Sequence, residues 1–102
     1  MNYQKILKDI SVEILGTFLF VSVLITQKNP IIIGLSLIVL ILIAEFLGIK
    51  EPGVHFNPIV SIIILLEKQY KWHDALKFII CQIIGGLLAW KLWSNYKFIK
   101  EF

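Results

Sequence analysis

The stretch PGVHFNPIVS, residues 52–61, decides the fold. It sets two prolines, a glycine, a histidine and an asparagine between two strongly apolar segments. Asn57 suits a helix N-cap, and Pro58 suits the first helical position, where the amide it lacks would be unpaired anyway. A helix therefore begins at Pro58. Its apolar run reaches only to about residue 66, where the charged EKQYKWHD closes it. Nine residues at about 1.5 Å each reach roughly half way through the hydrocarbon of a bilayer. Two readings of the segment stay open. In one, residues 50–58 form an interfacial loop and the short helix lies on the membrane surface. In the other, the loop and half-helix enter and leave on the same face. That second arrangement needs other helices around it, because irregular backbone at membrane depth must find hydrogen-bond partners. The run IVSIIILL favours it, being apolar all round with no polar face to rest on water.

The rest of the chain supplies such surroundings. Its 102 residues are enough for one domain, 58% of them hydrophobic and 17% charged. A soluble domain of this size cannot bury that much Ile, Leu, Val and Phe, so the excess faces lipid. Three further apolar pieces, at about residues 10–26, 31–49 and 76–93, are long enough to span. The expected fold is all-α and multi-pass: three transmembrane helices and one re-entrant half-helix at about residues 58–66, forming one unit over residues 1–102. The first piece reads as a retained span rather than a cleaved leader, since Glu13 interrupts it and no small-x-small site follows.

The charge pattern excludes nucleic acid as a partner. The net charge of +3 rests on ten lysines and no arginine, scattered singly between apolar runs as interfacial anchors. Cys81, the single cysteine, reads as a small buried hydrophobe. Trp72, Trp90, Trp93, Tyr70 and Tyr96 fall near span ends, where interfacial aromatics belong. No nucleophile–base arrangement, phosphate loop or metal-ligand spacing is present, so neither an enzyme nor a cofactor is expected.

Polar residues inside spans are costly and usually have a task. Glu13 lies in the first span, Glu45 near the end of the second, and Gln82 in the last. Glu13 and Gln82 are expected to accept hydrogen bonds from the exposed amides of the loop, a proton relay being the weaker reading. Each leads a similar pattern, EILGT at 13–17 and QIIGG at 82–86, with a glycine three residues on. Gly16 and Gly85 are therefore expected to mark a close crossing of the first and last spans. His55, beside a turn with no second metal ligand, reads as a hydrogen-bonded structural residue.

GVHFNPIVS resembles the first Asn-Pro-Ala loop of the aquaporin and glycerol-facilitator family, typically written G-x-H-x-N-P-A-V-[ST]. Gly53, His55, Asn57, Pro58, Val60 and Ser61 match, and Ile59 replaces the alanine. VEILGTFLFV resembles the family's first-helix motif and CQIIGGLLAW its third. The resemblance implies a half-helix aimed at the membrane centre, with Phe56, Asn57, Pro58 and Ile59 beside the path and the Asn57 amide orienting a passing solute. It implies that Glu13 holds the loop, which His55, Gly53 and Gln82 help to shape. The implied function is a passive channel for water or small neutral solutes such as glycerol. The positive end of a helix dipole with one capped donor suits that task, since it orients water and repels cations.

The departures bear on how a pore would form. Family members carry two inverted repeats, whereas this chain matches one, the first. It has no arginine for a selectivity filter, and Gly34 lies about one helical turn too far from Asn57 to be assigned to one. Ile59 adds bulk where the family keeps a methyl group. Three spans put the termini on opposite sides, leaving Lys5, Lys8, Lys50, Lys68, Lys71 and Lys77 on one side and Lys28, Lys91, Lys97 and Lys100 on the other. Six against four is a weak orientation signal, which permits insertion both ways. An antiparallel homodimer would then set two Asn57 side chains across one pore. The alternatives are a heteromeric channel, with a separate chain supplying the second repeat, and a non-conducting membrane scaffold or regulator.

Overall fold

In a computed structural model the chain is all-α, and the structure describes residues 3–49, 55–68 and 71–95. Four helices follow one another: α1 Tyr3–Thr26, α2 Pro30–Phe46, α3 Pro58–Lys68 and α4 Trp72–Ser94. With 24 and 23 residues, α1 and α4 are about 35 Å long and apolar enough to cross a bilayer. The 17 residues of α2 span about 25 Å, and the 11 of α3 about 16 Å.

Local signals set the helix ends. Asn29 caps α2, its Oδ1 accepting from the Ile31 amide at 2.9 Å, with Pro30 opening the helix. The helix was expected to continue to residue 49 but stops at Phe46. Gly48 turns left-handed at φ +85, and the Gly48 and Ile49 amides donate back to the Glu45 and Ala44 carbonyls, each at 3.0 Å. This is a Schellman ending, closed by the buried Ala44 and Ile49. By contrast α1 begins at Tyr3, well before its apolar run, and a Lys5–Asp9 pair at 3.0 Å braces that first polar stretch. The α4 helix likewise starts at Trp72, with Asp74 in its first turn and Lys91 in its last, both complementing the helix dipole. Trp72 and Trp90 are exposed; Tyr70, Tyr96 and Gly53 lie outside the described residues.

The pairing of residues gives the helix directions. Gln82 meets Glu13, a Cβ on Gly85 would meet Thr17, and one on Gly86 would meet Val21. These partners rise together along both chains, so α1 and α4 run parallel. Between α1 and α2 the order reverses: Thr26 and Ile32 line one cavity, Val12 and Leu47 another, so that hairpin is antiparallel. The main core lies between α1 and α4, to which α4 brings the stripe Ala75, Phe78, Cys81, Gln82, Gly85 and Ala89. α3 packs on α4. α2 packs on α1 and buries only Ala44.

The packing is inside out for a protein dissolved in water. Asp9, Glu13, Thr17, Ser22, His55, Ser61 and Gln82 are buried, while Ile31, Leu35, Ile63, Leu66 and Leu87 are more than half exposed. Water does not stabilise an apolar exterior of this extent, whereas hydrocarbon does.

Gly85 sets how closely the two long helices approach. A Cβ there would stand 2.5 Å from the Ile14 carbonyl oxygen and 3.1 Å from Phe18 N and Thr17 Cβ. Backbone cannot move aside as a side-chain tip can, so the helices would have to part. We expect Gly85→Ala to lower stability by about 1–3 kcal/mol, as overpacking does. Gly34→Ala, with nothing within 4 Å, should be neutral or slightly stabilising. Thermal unfolding of the two variants in one detergent compares them directly; equal midpoints would refute the close contact. Gly16, also expected at the crossing, has the Phe56 ring as its nearest neighbour. A Cβ on Gly16 would fall within the Phe56 ring, so the space that this glycine leaves is taken by the loop.

Candidate functional site

Three segments distant in sequence converge midway along the long helices. Glu13 is the eleventh residue of α1 and Gln82 the eleventh of α4. Between them comes the turn before α3, with its successive His55 and Phe56 amides. Phe56 takes a left-handed backbone at φ +58, a conformation that a bulky residue adopts only when its surroundings demand it. The demand is visible. Such a turn aims two neighbouring N–H groups into one concavity that suits an anion, and the Glu13 carboxyl fills it. Oε2 accepts from His55 N at 3.1 Å, while Oε1 accepts from Phe56 N and, at 3.0 Å, from Gln82 Nε2. Glu13 is 0% exposed, so these donors take the place of water.

A second chain of bonds ties α3 to α4. Gln82 Nε2 also donates to Ser61 Oγ at 2.9 Å, and Ser61 Oγ lies 2.8 Å from His55 Nδ1. The Ser61 hydroxyl can donate to His55 Nδ1 or accept from it, according to which ring nitrogen carries the imidazole proton. The imidazole also leans on Phe78, with ring centroids 4.1 Å apart. Two buried polar atoms, Thr17 Oγ1 and Gln82 Oε1, have no partner among the described residues. Sequence reasoning did not place Ser61 or Phe78 at the site. The signal for Ser61 was available: it is the lone polar residue in IVSIIILL, one turn after the N-cap.

Asn57 starts α3. Its Oδ1 accepts from Ile59 N at 2.8 Å, and its carbonyl accepts from Ser61 N at 3.2 Å. Since the capping atom must be an acceptor, the side-chain NH2 is the end left over, and it has no partner among the described residues. Asn57, Pro58 and Ile59 are exposed, Ile59 at 63%. Phe56, expected beside them, is instead 5% exposed, with its ring turned against Gly16. The described part of the loop thus splits into a buried half, His55 and Phe56, held by hydrogen bonds, and an exposed half where the Asn57 NH2 has no partner among the described residues. Among the described residues no three metal-ligating side chains converge.

The chain is 34% identical, over 82 aligned residues, to a "Glycerol uptake facilitator protein-like 6" from Lactiplantibacillus plantarum. The match takes in 76% of this chain and 38% of that protein, so the chain spans well under half the length of its curated relative. No family profile matches the chain. No solved structure matches it either.

Proposed function

We propose, because this chain belongs to the aquaporin and glycerol-facilitator family, that it is a passive membrane channel for water or small neutral solutes, its pore completed by an antiparallel second copy. The observation that carries the reading is Asn57: an exposed amide donor at the start of α3, level with the midpoint of α1 and α4. A donor fixed there by its own cap, at the positive end of a helix dipole, orients a hydroxyl or a water and opposes cations. Asn57, Pro58 and Ile59 line the path, and Glu13, His55 and Gln82 hold the loop that presents them.

The chain course supports three spans and a re-entrant element. Residues 55–57 lie at mid-length beside Glu13, and α3 then leads to the start of α4, so the segment enters and leaves at one end. Parallel α1 and α4 with an antiparallel α2 between them suit one crossing each. Homodimerisation has its own support. One chain leaves Ile59, Ile62, Ile63 and Leu66 of α3 exposed, and Asn57 is exposed on the same half-helix. An antiparallel copy would cover these faces and bring a second Asn57 opposite the first.

Osmotic shrinkage of proteoliposomes, followed by stopped-flow light scattering, tests the proposal. We expect shrinkage well above that of empty vesicles. Tags on the C-terminus should be reachable from both faces of the membrane. Shrinkage at the empty-vesicle rate would refute conduction by this chain alone and turn attention to a separate chain as the second half. C-termini confined to one face would refute the antiparallel dimer while leaving conduction standing.

A further inference from the structure

A groove of about 540 Å³ opens between α1 and α2 near their connecting turn, with Trp93 of α4 closing one side. Its chemistry selects an apolar guest. The three hydroxyls along its walls are already committed to their own helices: Ser22 donates to the Phe18 carbonyl at 2.7 Å, Thr26 to Ser22 at 2.8 Å, and Ser36 to Ile33 at 2.7 Å. With their protons spent, these hydroxyls offer acceptors alone, and the remaining lining is Leu, Val, Ile and Trp. A polyol or a row of waters would find no donor among Ser22, Thr26 and Ser36. Its size suits a chain of methylenes better than a helix about 10 Å across.

The charge around the mouth narrows the guest further. Lys28 lies in the turn two residues beyond Thr26, and Lys91 lies in the last turn of α4, at the same end of the bundle. Both are exposed. Among the described residues the acidic side chains Asp9, Glu13, Glu45, Glu67 and Asp74 all sit at mid-length or at the opposite end. This end therefore attracts anions, and a bilayer offers them as phospholipid headgroups. We propose that the α1–α2 groove holds one acyl chain of an anionic phospholipid whose phosphate is engaged by Lys28, with Lys91 adding to the local positive field. The site is separate from Asn57 and does not depend on whether the protein conducts.

Native mass spectrometry of the full chain in detergent tests this with palmitoyl-oleoyl phosphatidylglycerol and the phosphatidylcholine bearing the same acyl chains. We expect one phosphatidylglycerol retained per chain, and phosphatidylcholine retained several-fold less. Lys28→Gln should weaken phosphatidylglycerol retention about fivefold, the effect of one lysine near an anionic surface. Val39→Trp, which fills the groove from α2, should abolish retention of either lipid. Equal retention of both lipids, or unchanged retention in Lys28→Gln, would overturn the proposal. So would a Val39→Trp protein that keeps its lipid but sheds a second copy, since protein would then be the occupant. Lys28 stands in an exposed turn, so its variant decides the matter even if Val39→Trp fails to fold.

Discussion

Replacing Glu13 with leucine should detach the loop before α3 and abolish conduction, even though the new side chain is better suited to a membrane helix. The carboxyl is the acceptor for three buried donors: His55 N, Phe56 N and Gln82 Nε2. A buried donor left without its partner costs about 1–3 kcal/mol, and here no water stands ready to substitute. Leucine also removes the reason for the left-handed turn at Phe56, which would relax toward an ordinary backbone. The cheapest response is local: the turn leaves Glu13's place and α3 loses its fixed start, while α1 and α4 stay packed through Gly85. Amide exchange at His55 and Phe56 should therefore speed up by about 100-fold, equivalent to about 2.7 kcal/mol, with α1 and α4 nearly unchanged. Glu13→Gln keeps one acceptor but turns an NH2 toward the donors, and should fall between. Exchange as slow in Glu13→Leu as in the native chain would show that the carboxyl does not hold the loop.

What the sequence revealed, and what it hid, follows from the range of each signal. The start of α3 was legible because Asn57 and Pro58 act on atoms within a few residues of themselves. Glu13 and Gln82 were legible as individuals, since a polar group in an apolar run is conspicuous wherever it lies. Their partners were harder to read. Glu13 meets His55 across 42 residues and Gln82 across 69, and no local pattern encodes which face of one helix meets which face of another. The matching EILGT and QIIGG show the limit well. The same spacing serves two ends, with Gly85 admitting the α1 backbone and Gly16 admitting the Phe56 ring. A glycine signals that something comes close without saying what. The early end of α2 is a different case: Gly48 lies within an apolar run whose composition says span, while its backbone says stop.

Asn57→Asp should remove conduction and leave the fold intact, and the contrast with Glu13→Leu separates a group that meets the solute from one that holds the loop. The cap bond runs from the Ile59 amide to Asn57 Oδ1, and an aspartate oxygen accepts the same bond. A carboxylate is at least as good an N-cap as an amide, and negative charge at a helix N-terminus is favourable. Stability should thus hold within about 0.5 kcal/mol of the native chain, as is usual for one cap residue exchanged for another. What disappears is the NH2 of the Asn57 side chain, which has no partner among the described residues. In its place stands a negative charge at the point where the half-helix dipole had been positive. In the proposed antiparallel dimer two such charges would face each other, adding mutual repulsion and a binding site for cations. Stopped-flow shrinkage should fall to the rate of empty vesicles while the thermal midpoint and the amide exchange at His55 and Phe56 stay put. Shrinkage at the native rate would place the solute path away from Asn57. Lost shrinkage accompanied by fast exchange at His55 and Phe56 would assign Asn57 to the scaffold, alongside Glu13.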